Sequence, residues 1–389
     1  MIPLASKTAK AAKKPSQART IFRIFASGIK TNRDEWVYDR DPDVLGEKVN
    51  FFLKKLAAYS RGEGDSKYDP SIKWSRDLKR KASKAIASSD LHGHAVVSQW
   101  CPFVRQIYWS NKILSDILTE YHFQFFGKGL TVRNPIISFL CVHSSNPLAV
   151  MAVTGPFDYC LLKRGNGGTE SVPLWTFDAN GTRHENITDW AFDLFKKRYQ
   201  PRREKQSRPV TKEAIFHYVY GVLHDPVYVA KYALNLRREF PRIPFYDDFW
   251  QWADWGKELM DLHIGYEEVE PFKLKRIDQI DEKSRKAGVA PKAMLKADKE
   301  AGVIVIDSET TISAFPREVW TYTLGNRSAL EWILDQYKEK KPKDPTIREK
   351  FDTYRFADYK EQVVDLLMRV TTVSVRTSSI VNSMKRATR

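Results

Sequence analysis

Few residue patterns in this chain have the spacing that catalysis requires. His92 and His94 flank a glycine near Cys101, but a zinc site would need a further pair of ligands. The glycine pattern of a phosphate-binding P-loop, the HExxH zinc motif and the paired HxE and PCxxC motifs of nucleobase deaminases are all absent from the sequence. We therefore predict no metal site and no catalytic residue in this chain.

One run has the spacing of a cofactor-binding turn. Residues 125–129 (FFGKG) match the F-x-G-x-G turn that binds the methionine end of S-adenosylmethionine. A methyltransferase that acts on the amino group of a base also needs an Asn/Asp-Pro-Pro-aromatic loop, and the Asn-Pro pairs at Asn134 and Asn146 lack the second proline and the aromatic ring. The alternative of an adenine-specific methyltransferase with a degenerate S-adenosylmethionine site stays open.

Side chains able to contact nucleic acid are more numerous. Residues 30–33 (KTNR) follow Gly28 in a predicted turn between two apolar runs. Asparagine can pair with adenine and arginine with guanine in the major groove. Spacings of three and four residues predict a basic helical stripe suited to phosphates: Arg76, Lys79, Arg80 and Lys84. The competing interpretation is a turn that closes its own hydrogen bonds beside an ordinary solvated helix face.

The net charge supports a polyanionic partner. Lys and Arg number 64 against 48 Asp and Glu, a formal charge of +16 over 389 residues. Residues 1–33 hold eight basic and no acidic residues, 73–84 hold six against one, and 196–212 hold eight against one. Clustered charge of this kind is typical of nucleic-acid binding. A third alternative is a structural coupling domain whose basic surface binds RNA or an acidic protein.

The predicted DNA-contacting residues come from the turn, the stripe, the ends of strand-like runs and a proline-containing basic loop. They are Lys30, Thr31, Asn32, Arg33, Arg76, Lys79, Arg80, Lys84, Arg105, Arg133, Lys163, Arg164, Arg202, Arg203 and Arg208.

The segments that must position these side chains differ in periodicity. Residues 94–177 contain short β-rich runs separated by Gly, Pro, Asn and Ser, which predicts the sheet-forming part of the chain. Helical spacing appears at 47–59 and 187–199, and Thr211 and the pair Asp225-Pro226 predict helix starts. The predicted class is mixed α/β (α+β), with a β-containing N-terminal half and a largely helical C-terminal half.

Composition shifts predict four segments along the chain. They are a basic arm (1–20), a β-rich DNA-recognition part (21–200), a linker or mobile loop (201–210), and a mainly helical part with a short strand cluster near 303–324 (211–389). The three cysteines form no CxxC pair, residues 1–33 show no signal core, and no apolar run reaches membrane-spanning length. These features predict a cytoplasmic protein with no membrane partner.

Several long runs resemble the C-terminal target-recognition (specificity) domain of type ISP restriction–modification enzymes. They occur in order along the chain: IFRIFASGIKTNRDEWVYD (21–39), IKWSRDLKRK (72–81), IFHYVYGVLHDPVY and KYALNLRREFPRIPF (within 215–245), WADWGKELMDLHIGYE (252–267), VWTYTLGNRSALEWILDQY (319–337) and VTTVSVRTSSIV (370–381).

The resemblance implies a function for the chain. In that family one polypeptide carries a nuclease, a helicase-like ATPase, an N6-adenine methyltransferase and this recognition region. The resemblance therefore implies a sequence-specific reader of double-stranded DNA that presents a target adenine to a methyltransferase domain not contained in this chain. It implies methyltransferase and helicase/nuclease domains of the same system as partners. S-adenosylmethionine, ATP and Mg are implied for those absent domains, and no cofactor for this chain.

Overall fold

The computed structural model describes most of the chain. Helices make up 41% and strands 20%, with the strands spread over several small sheets, so the predicted mixed α/β class is confirmed. The described residues are 1–12, 14, 17–63, 68–84, 86–140, 147–163, 168–200 and 208–389.

The α-helices are α1 (Lys7–Ala11), α2 (Asp34–Val37), α3 (Pro42–Ser60), α4 (Arg76–Ala82), α5 (Glu120–Phe126), α6 (Asp189–Tyr199), α7 (Lys212–His224), α8 (Pro226–Lys231), α9 (Ala233–Leu236), α10 (Phe249–Ile264), α11 (Glu282–Lys286), α12 (Ala329–Tyr337), α13 (Pro345–Lys350) and α14 (Lys360–Met384). Short 3-10 turns lie at Ser88–Leu91, Arg317–Trp320 and Phe356–Tyr359.

The strands are β1 (Ile2–Pro3), β2 (Ala26–Ser27), β3 (Tyr38–Asp39), β4 (His94–Cys101), β5 (Val104–Ser110), β6 (Ile136–Leu140), β7 (Ala149–Val153), β8 (Glu170–Pro173), β9 (Trp175–Phe177), β10 (Arg183–Glu185), β11 (Arg242–Ile243), β12 (Lys275–Asp278), β13 (Ala293–Asp298), β14 (Val303–Asp307), β15 (Thr310–Ser313), β16 (Thr323–Leu324) and β17 (Arg327–Ser328).

The helix starts predicted from capping residues are confirmed. The Thr211 side chain accepts a hydrogen bond from the backbone N–H of Ala214 at the start of α7. The Asp225 side chain accepts one from Val227, and Pro226 occupies the first position of α8. Both side chains satisfy backbone donors that a helix start leaves unpaired, which explains why these local signals are reliable.

The central sheet has the strand order β2-β8-β6-β7, and all its ladders are antiparallel. Every residue of β6 and β7 is buried, which accounts for their apolar sequences apart from Ser138. Helix α10 packs on β7, and the Tyr220 hydroxyl of α7 accepts a hydrogen bond of 2.8 Å from the Ala152 N–H. Helices from the C-terminal half therefore cover a sheet built by the N-terminal half.

Two glycines allow α7 and α10 to lie backbone to backbone. A β-carbon added at Gly256 would sit 1.8 Å from the carbonyl oxygen of His217, and one at Gly221 would sit 2.4 Å from that of Trp252. Real β-carbons never approach a carbonyl oxygen this closely, so glycine is required at this crossing. The close contact holds the helix pair that covers the central sheet.

Two further sheets flank this core. One has the order β3-β5-β4, and its β4–β5 hairpin turns at Phe103, which has a φ of 59°. The other has the order β12-β15-β14-β13 and packs against α12. Strands β14, β15 and β16 lie within the range near 303–324 where the sequence predicts strands, and a 3-10 turn occupies Arg317–Trp320.

The N-terminal segment is not the free basic arm that its charge predicts. Strand β1 pairs with β11 through Ile2 and Ile243, and the Leu4 N–H donates to the Pro241 carbonyl at 2.9 Å. Ile2 and Leu4 are buried, because removing apolar side chains from water into the core is favourable. This corrects the expectation for residues 1–20.

The predicted boundary at 201–210 does not separate two cores. Residues 201–207 lie outside the described residues, but Val210 is buried, and buried apolar residues from both halves form one continuous cluster. The Trp36 indole N–H donates to Asp344 at 2.8 Å, which is another contact between the halves. Among the described residues, no helix combines the length and the apolar character needed to cross a bilayer.

Candidate nucleic-acid interface

The predicted recognition turn at 30–33 presents two of its four side chains toward the surface. Lys30 is half-buried, pairs through its backbone with Ile117 and places its Nζ 5.3 Å from the ring centre of Tyr159. Asn32 is exposed at a φ of 55°, and its amide donates to Asp116. The chain then enters helix α2, because Asp34 and Glu35 favour a helix first turn, and the short strand β3 follows it.

Arg33 is buried, which corrects its assignment as a base-reading residue. Only 1% of the residue is exposed. Its guanidinium donates to the Leu114 carbonyl, to the Ser75 hydroxyl at 2.7 Å and to the Asp116 carboxylate at 3.1 Å. Burial lowers the pKa of the Arg33 guanidinium, and the charge of Asp116 opposes that shift. We call Arg33, Ser75 and Asp116 the Arg33 node; its donors point into the protein.

The prediction that Thr31 contacts DNA is corrected for the same reason. It is 1% exposed, and its hydroxyl donates to the Asp34 carboxylate at the start of α2. A threonine whose side chain is buried and bonded within the chain has no hydroxyl to offer a base. Thr31 therefore positions the turn.

The Arg33 node fixes the start of helix α4. The Ser75 hydroxyl accepts from the Leu78 N–H at 3.0 Å and donates to Asp116 at 2.9 Å. Leu78 is buried, and half-buried Lys81 donates to the carbonyls of Lys112 and Ser115 at 2.7 and 2.8 Å. One face of α4 is therefore held against the 112–116 segment, and the opposite face is turned to solvent.

Three cations on or just after α4 have no carboxylate partner among the described residues. Arg76 and Lys79 lie on the helix, whereas Lys84 lies beyond its end at Ala82, so the predicted helical stripe does not extend to Lys84. Arg76 and Lys84 are exposed, and their side chains form no ion pair or hydrogen bond with any residue that the structure describes. Lys79 is exposed and lies 4.2 Å from the ring centre of Tyr68. We call Arg76, Lys79 and Lys84 the α4 cations. Arg80, the fourth predicted member, is paired with Asp77, although its side chain is 65% exposed.

Arg105 and Arg133 meet at a second location, a groove of about 430 Å³ beside strand β4. Arg105 pairs with Glu267, whereas Arg133 is exposed and has no side-chain partner among the described residues. We call this feature the β4 groove; its lining comprises Ala95, Val96, Val97, Gln99, Arg105, Leu130, Thr131, Val132, Arg133, Ala152, Val153, Thr154, Gly155, Pro156, His263 and Ile264.

Of the remaining predicted residues, only Lys163 and Arg208 are described by the structure, and neither lines the β4 groove. Arg208 makes a bidentate pair with Asp254 at 2.7 and 2.8 Å and lies 3.9 Å from the ring centre of Trp250, so its charge is already compensated. Lys163 is half-buried. Arg164, Arg202 and Arg203 lie outside the described residues.

A larger cleft of about 1590 Å³ lies elsewhere on the surface. Its basic lining residues are matched by acidic ones, and several are already paired, as Lys212 is with Glu185 and Asp189. A surface whose positive charges are balanced by negative charges attracts a polyanion weakly, so this cleft is a weaker candidate for binding DNA phosphates. Its charged lining comprises Arg19, Arg23, Lys112, Lys128 and Lys212, with Glu120, Asp178, Glu185, Asp189 and Asp193.

The glycine run at 125–129 is a helix end. Helix α5 stops at Phe126, and Gly127 follows with a φ of 73°. A nucleotide-binding turn follows a strand and opens a helix within a parallel sheet. Here the run follows a helix, and all strand ladders of the described residues are antiparallel. The match to a cofactor turn is therefore one of spacing alone.

The candidate metal residues are also separated. The His94 Nε2 donates to the Gly129 carbonyl at 2.7 Å, and Cys101 is fully buried. Within the described ranges, no group of three or more His, Cys, Asp or Glu is arranged to hold a metal ion.

The fold therefore belongs to a mixed α/β class that displays cations on a helix and beside a sheet edge. Residues 20–366 match the family described as the Type ISP C-terminal specificity domain. The chain belongs to this family. A comparison with curated proteins finds no match.

Solved structures share this fold over essentially the whole chain. A cryo-EM structure of a DrdV–DNA complex matches 100% of the chain with 38% identity and a TM-score of 0.88. Structures of the Type ISP restriction-modification enzymes LlaGI (98% covered, 23% identity, TM-score 0.75) and LlaBIII (100% covered, 21% identity, TM-score 0.78) share the fold. The chain spans 38%, 34% and 24% of the lengths of these three proteins.

Proposed function

We propose that this chain is the sequence-specific DNA target-recognition module of a Type ISP restriction–modification system. The observation that carries the proposal is its likeness, over the entire chain at 38% identity, to a protein whose structure was determined with DNA. The family to which the chain belongs is named for specificity, which agrees with a reading role. The module acts in the cytoplasm beside the methyltransferase and helicase/nuclease domains of the same system.

The α4 cations supply the phosphate contacts in this proposal. A cation that binds a DNA phosphate gains more free energy if it has no carboxylate partner to give up first. Arg76, Lys79 and Lys84 meet that condition, whereas Arg80 and Arg208 would have to give up Asp77 and Asp254. The Arg33 node contributes indirectly, because it fixes the direction of α4.

The chemistry takes place on other domains. A target adenine turned out of the duplex enters the pocket of the methyltransferase, which uses S-adenosylmethionine, and the helicase-like domain uses ATP and Mg. This chain takes part by fixing where on the duplex that base lies. It binds none of these cofactors in the proposed mechanism.

Selection from random duplexes, followed by titration of the enriched site at several salt concentrations, tests the proposal. We expect one enriched sequence, and an affinity that falls by about 0.9 log unit per log unit of salt for each phosphate contact. Arg76→Ala should lower that slope by about one contact. The matched control is Arg208→Ala, which removes an arginine already paired with Asp254 and should leave the slope unchanged. No enrichment, or a flat response to salt, contradicts the proposal.

Two alternatives predict different results in the same material. A methyltransferase would bind S-adenosylmethionine with micromolar affinity and transfer its methyl group to adenine. A structural coupling domain would bind RNA or an acidic protein as well as it binds duplex DNA, so competition between duplex DNA and RNA separates it. The helix-end position of Gly127 makes the first alternative the weaker of the two.

A further inference from the structure

The β4 groove exposes aliphatic side chains that the core does not use. Val97 is 61% exposed and Val132 is 37% exposed, and both line the groove. Alternation along β4 turns Ala95 to the same side as Val97, while Val96 and Ser98 are buried. The solvent face of an antiparallel strand is normally polar, so a groove lined by valines is a feature that folding alone does not require.

The charges around this groove fit a polyanion. Among the residues that the structure describes, its lining contains Arg105 and Arg133 and no acidic residue. Glu267 pairs with Arg105, so of these two arginines Arg133 is the one without a side-chain partner among the described residues. The larger cleft, by contrast, is lined by as many acidic residues as lysines and arginines. Charge complementarity therefore selects DNA as the occupant of the β4 groove.

The loop that carries Val132 and Arg133 is held in one shape from several sides. Leu130 is 1% exposed and anchors it, with N–H groups donating from Leu130 to Gly127 at 3.0 Å and from Val132 to Phe126 at 3.0 Å. Gly127 has a φ of 73°, and a β-carbon there would lie 2.9 Å from a Val132 methyl group.

Both ends of this loop are also tied to neighbouring strands. The His94 side chain of β4 donates to the Gly129 carbonyl at 2.7 Å, and the Asn134 N–H donates to the Thr154 carbonyl at 2.9 Å. The exposed run 131–133 is therefore positioned before any ligand arrives. Such pre-organisation reduces the entropy lost on binding and favours specific contacts.

We propose that the β4 groove reads base edges in the major groove of DNA. Val97 and Val132 contact thymine methyl groups, and Arg133 donates to a guanine. The major groove admits a two-stranded β-ribbon, which the β4–β5 hairpin supplies, and it displays both the thymine methyl group and the guanine N7 and O6 acceptors. This inference rests on the proposed function, because it names the residues that would give that function its specificity.

Replacing thymine by uracil tests the valine contacts directly. Uracil lacks the methyl group but keeps every hydrogen-bonding atom of thymine. Each thymine of the enriched site is replaced in turn, and binding is measured by fluorescence anisotropy. We expect at least one position at which uracil weakens wild-type binding about fourfold, the loss for one buried methyl group at ~0.8 kcal/mol. In Val97→Ala or Val132→Ala, thymine and uracil should bind equally at that position.

Val227→Ala is the matched control, since Val227 is 40% exposed on α8 and does not line the groove. It should keep the wild-type loss on uracil replacement. 7-Deazaguanine lacks the N7 acceptor of guanine. At one guanine of the site, we expect this replacement to lower the affinity of the wild type about fivefold or more and to leave the affinity of Arg133→Ala unchanged. Thermal melts should be unchanged in all four variants, because each removes an exposed side chain.

The outcomes separate the two proposals. Three results would overturn base reading by the β4 groove and leave the proposed function standing. The enriched site could contain no thymine, uracil could leave wild-type binding unchanged at every position, or the uracil effect could persist in both the Val97 and the Val132 variant. Failure to select any duplex overturns both. Uracil effects that disappear in a groove variant and persist in Val227→Ala support the inference.

Discussion

Replacing Arg33 by alanine separates a structural role from a DNA-reading role. The substitution removes a guanidinium that is 1% exposed and donates to Leu114, Ser75 and Asp116. The Asp116 side chain, itself 10% exposed, would keep its charge and lose its cation. Breaking a buried ion pair by removing one partner costs about 3–5 kcal/mol, because the remaining charge stays desolvated. We expect the free energy of unfolding of Arg33→Ala to fall by that amount.

Urea unfolding followed by circular dichroism measures this loss. Arg76 on α4 is exposed and has no ion-pair partner among the described residues, so Arg76→Ala should change the free energy of unfolding by less than about 0.5 kcal/mol. Arg33→Lys should recover only part of the stability, since one ammonium group cannot donate to all three partners. In DNA binding, folded Arg33→Ala should weaken specific and nonspecific duplexes alike. Wild-type stability together with a selective loss of the specific duplex would refute the reasoning and make Arg33 a base-reading residue.

Two other features of the fold give measurable predictions. Burial lowers the pKa of His224 from 6.5 to about 4. As the pH falls, the unfolded chain therefore binds a proton before the folded chain does. The free energy of unfolding should fall by about 3 kcal/mol in total as the pH drops from above 6.5 toward 4. Urea midpoints measured from pH 7 to pH 4.5 should decline, less steeply in His224→Gln, and a flat profile would contradict the assignment. At the α7–α10 crossing, Gly256→Ala should destabilise by about 3 kcal/mol, because its β-carbon would meet the His217 carbonyl oxygen at 1.8 Å. The control is Gly46→Ala in α3, where an added β-carbon meets nothing within 4 Å. The higher helix propensity of alanine should raise the stability of this variant by about 1 kcal/mol. Equal effects of the two substitutions in thermal melts would show that the close crossing is absent.

His224 lies on α7, a different element from the α4 cations, so its effect on stability is separable from the proposed phosphate contacts. Half-buried His224 on α7 and fully buried His263 on α10 have ring centres 5.5 Å apart, and burial also lowers the pKa of His263. The α4 cations lie on a different element, which the Arg33 node attaches to the turn at 30–33. A stability change at the histidines should therefore leave the salt dependence of binding unaltered in the folded protein.

Short-range features of this protein could be predicted from the sequence. The apolar spacing at 47–59 and 187–199 identifies α3 and α6, and the capping residues Thr211 and Asp225 mark α7 and α8. A helix start depends on a hydrogen bond between residues two or three positions apart, so the pattern is complete within a few residues. The clustered charge likewise identified a basic protein, and the ordered runs of family residues identified the family.

The availability of each basic side chain was decided by tertiary structure. Arg33 and Arg133 are both arginines of apparently exposed segments in the sequence. In the structure, however, Arg33 is buried against Asp116, 83 positions away, whereas Arg133 is exposed and has no side-chain partner within the described part of the chain. Val97 shows the converse, since alternation along β4 predicts two faces without saying which one meets solvent. The sequence alone determined which residues carry charge and where helices begin. Which cations can reach DNA depends on partners distant in the chain, because an ion pair or a buried face forms only when the fold brings both sides together.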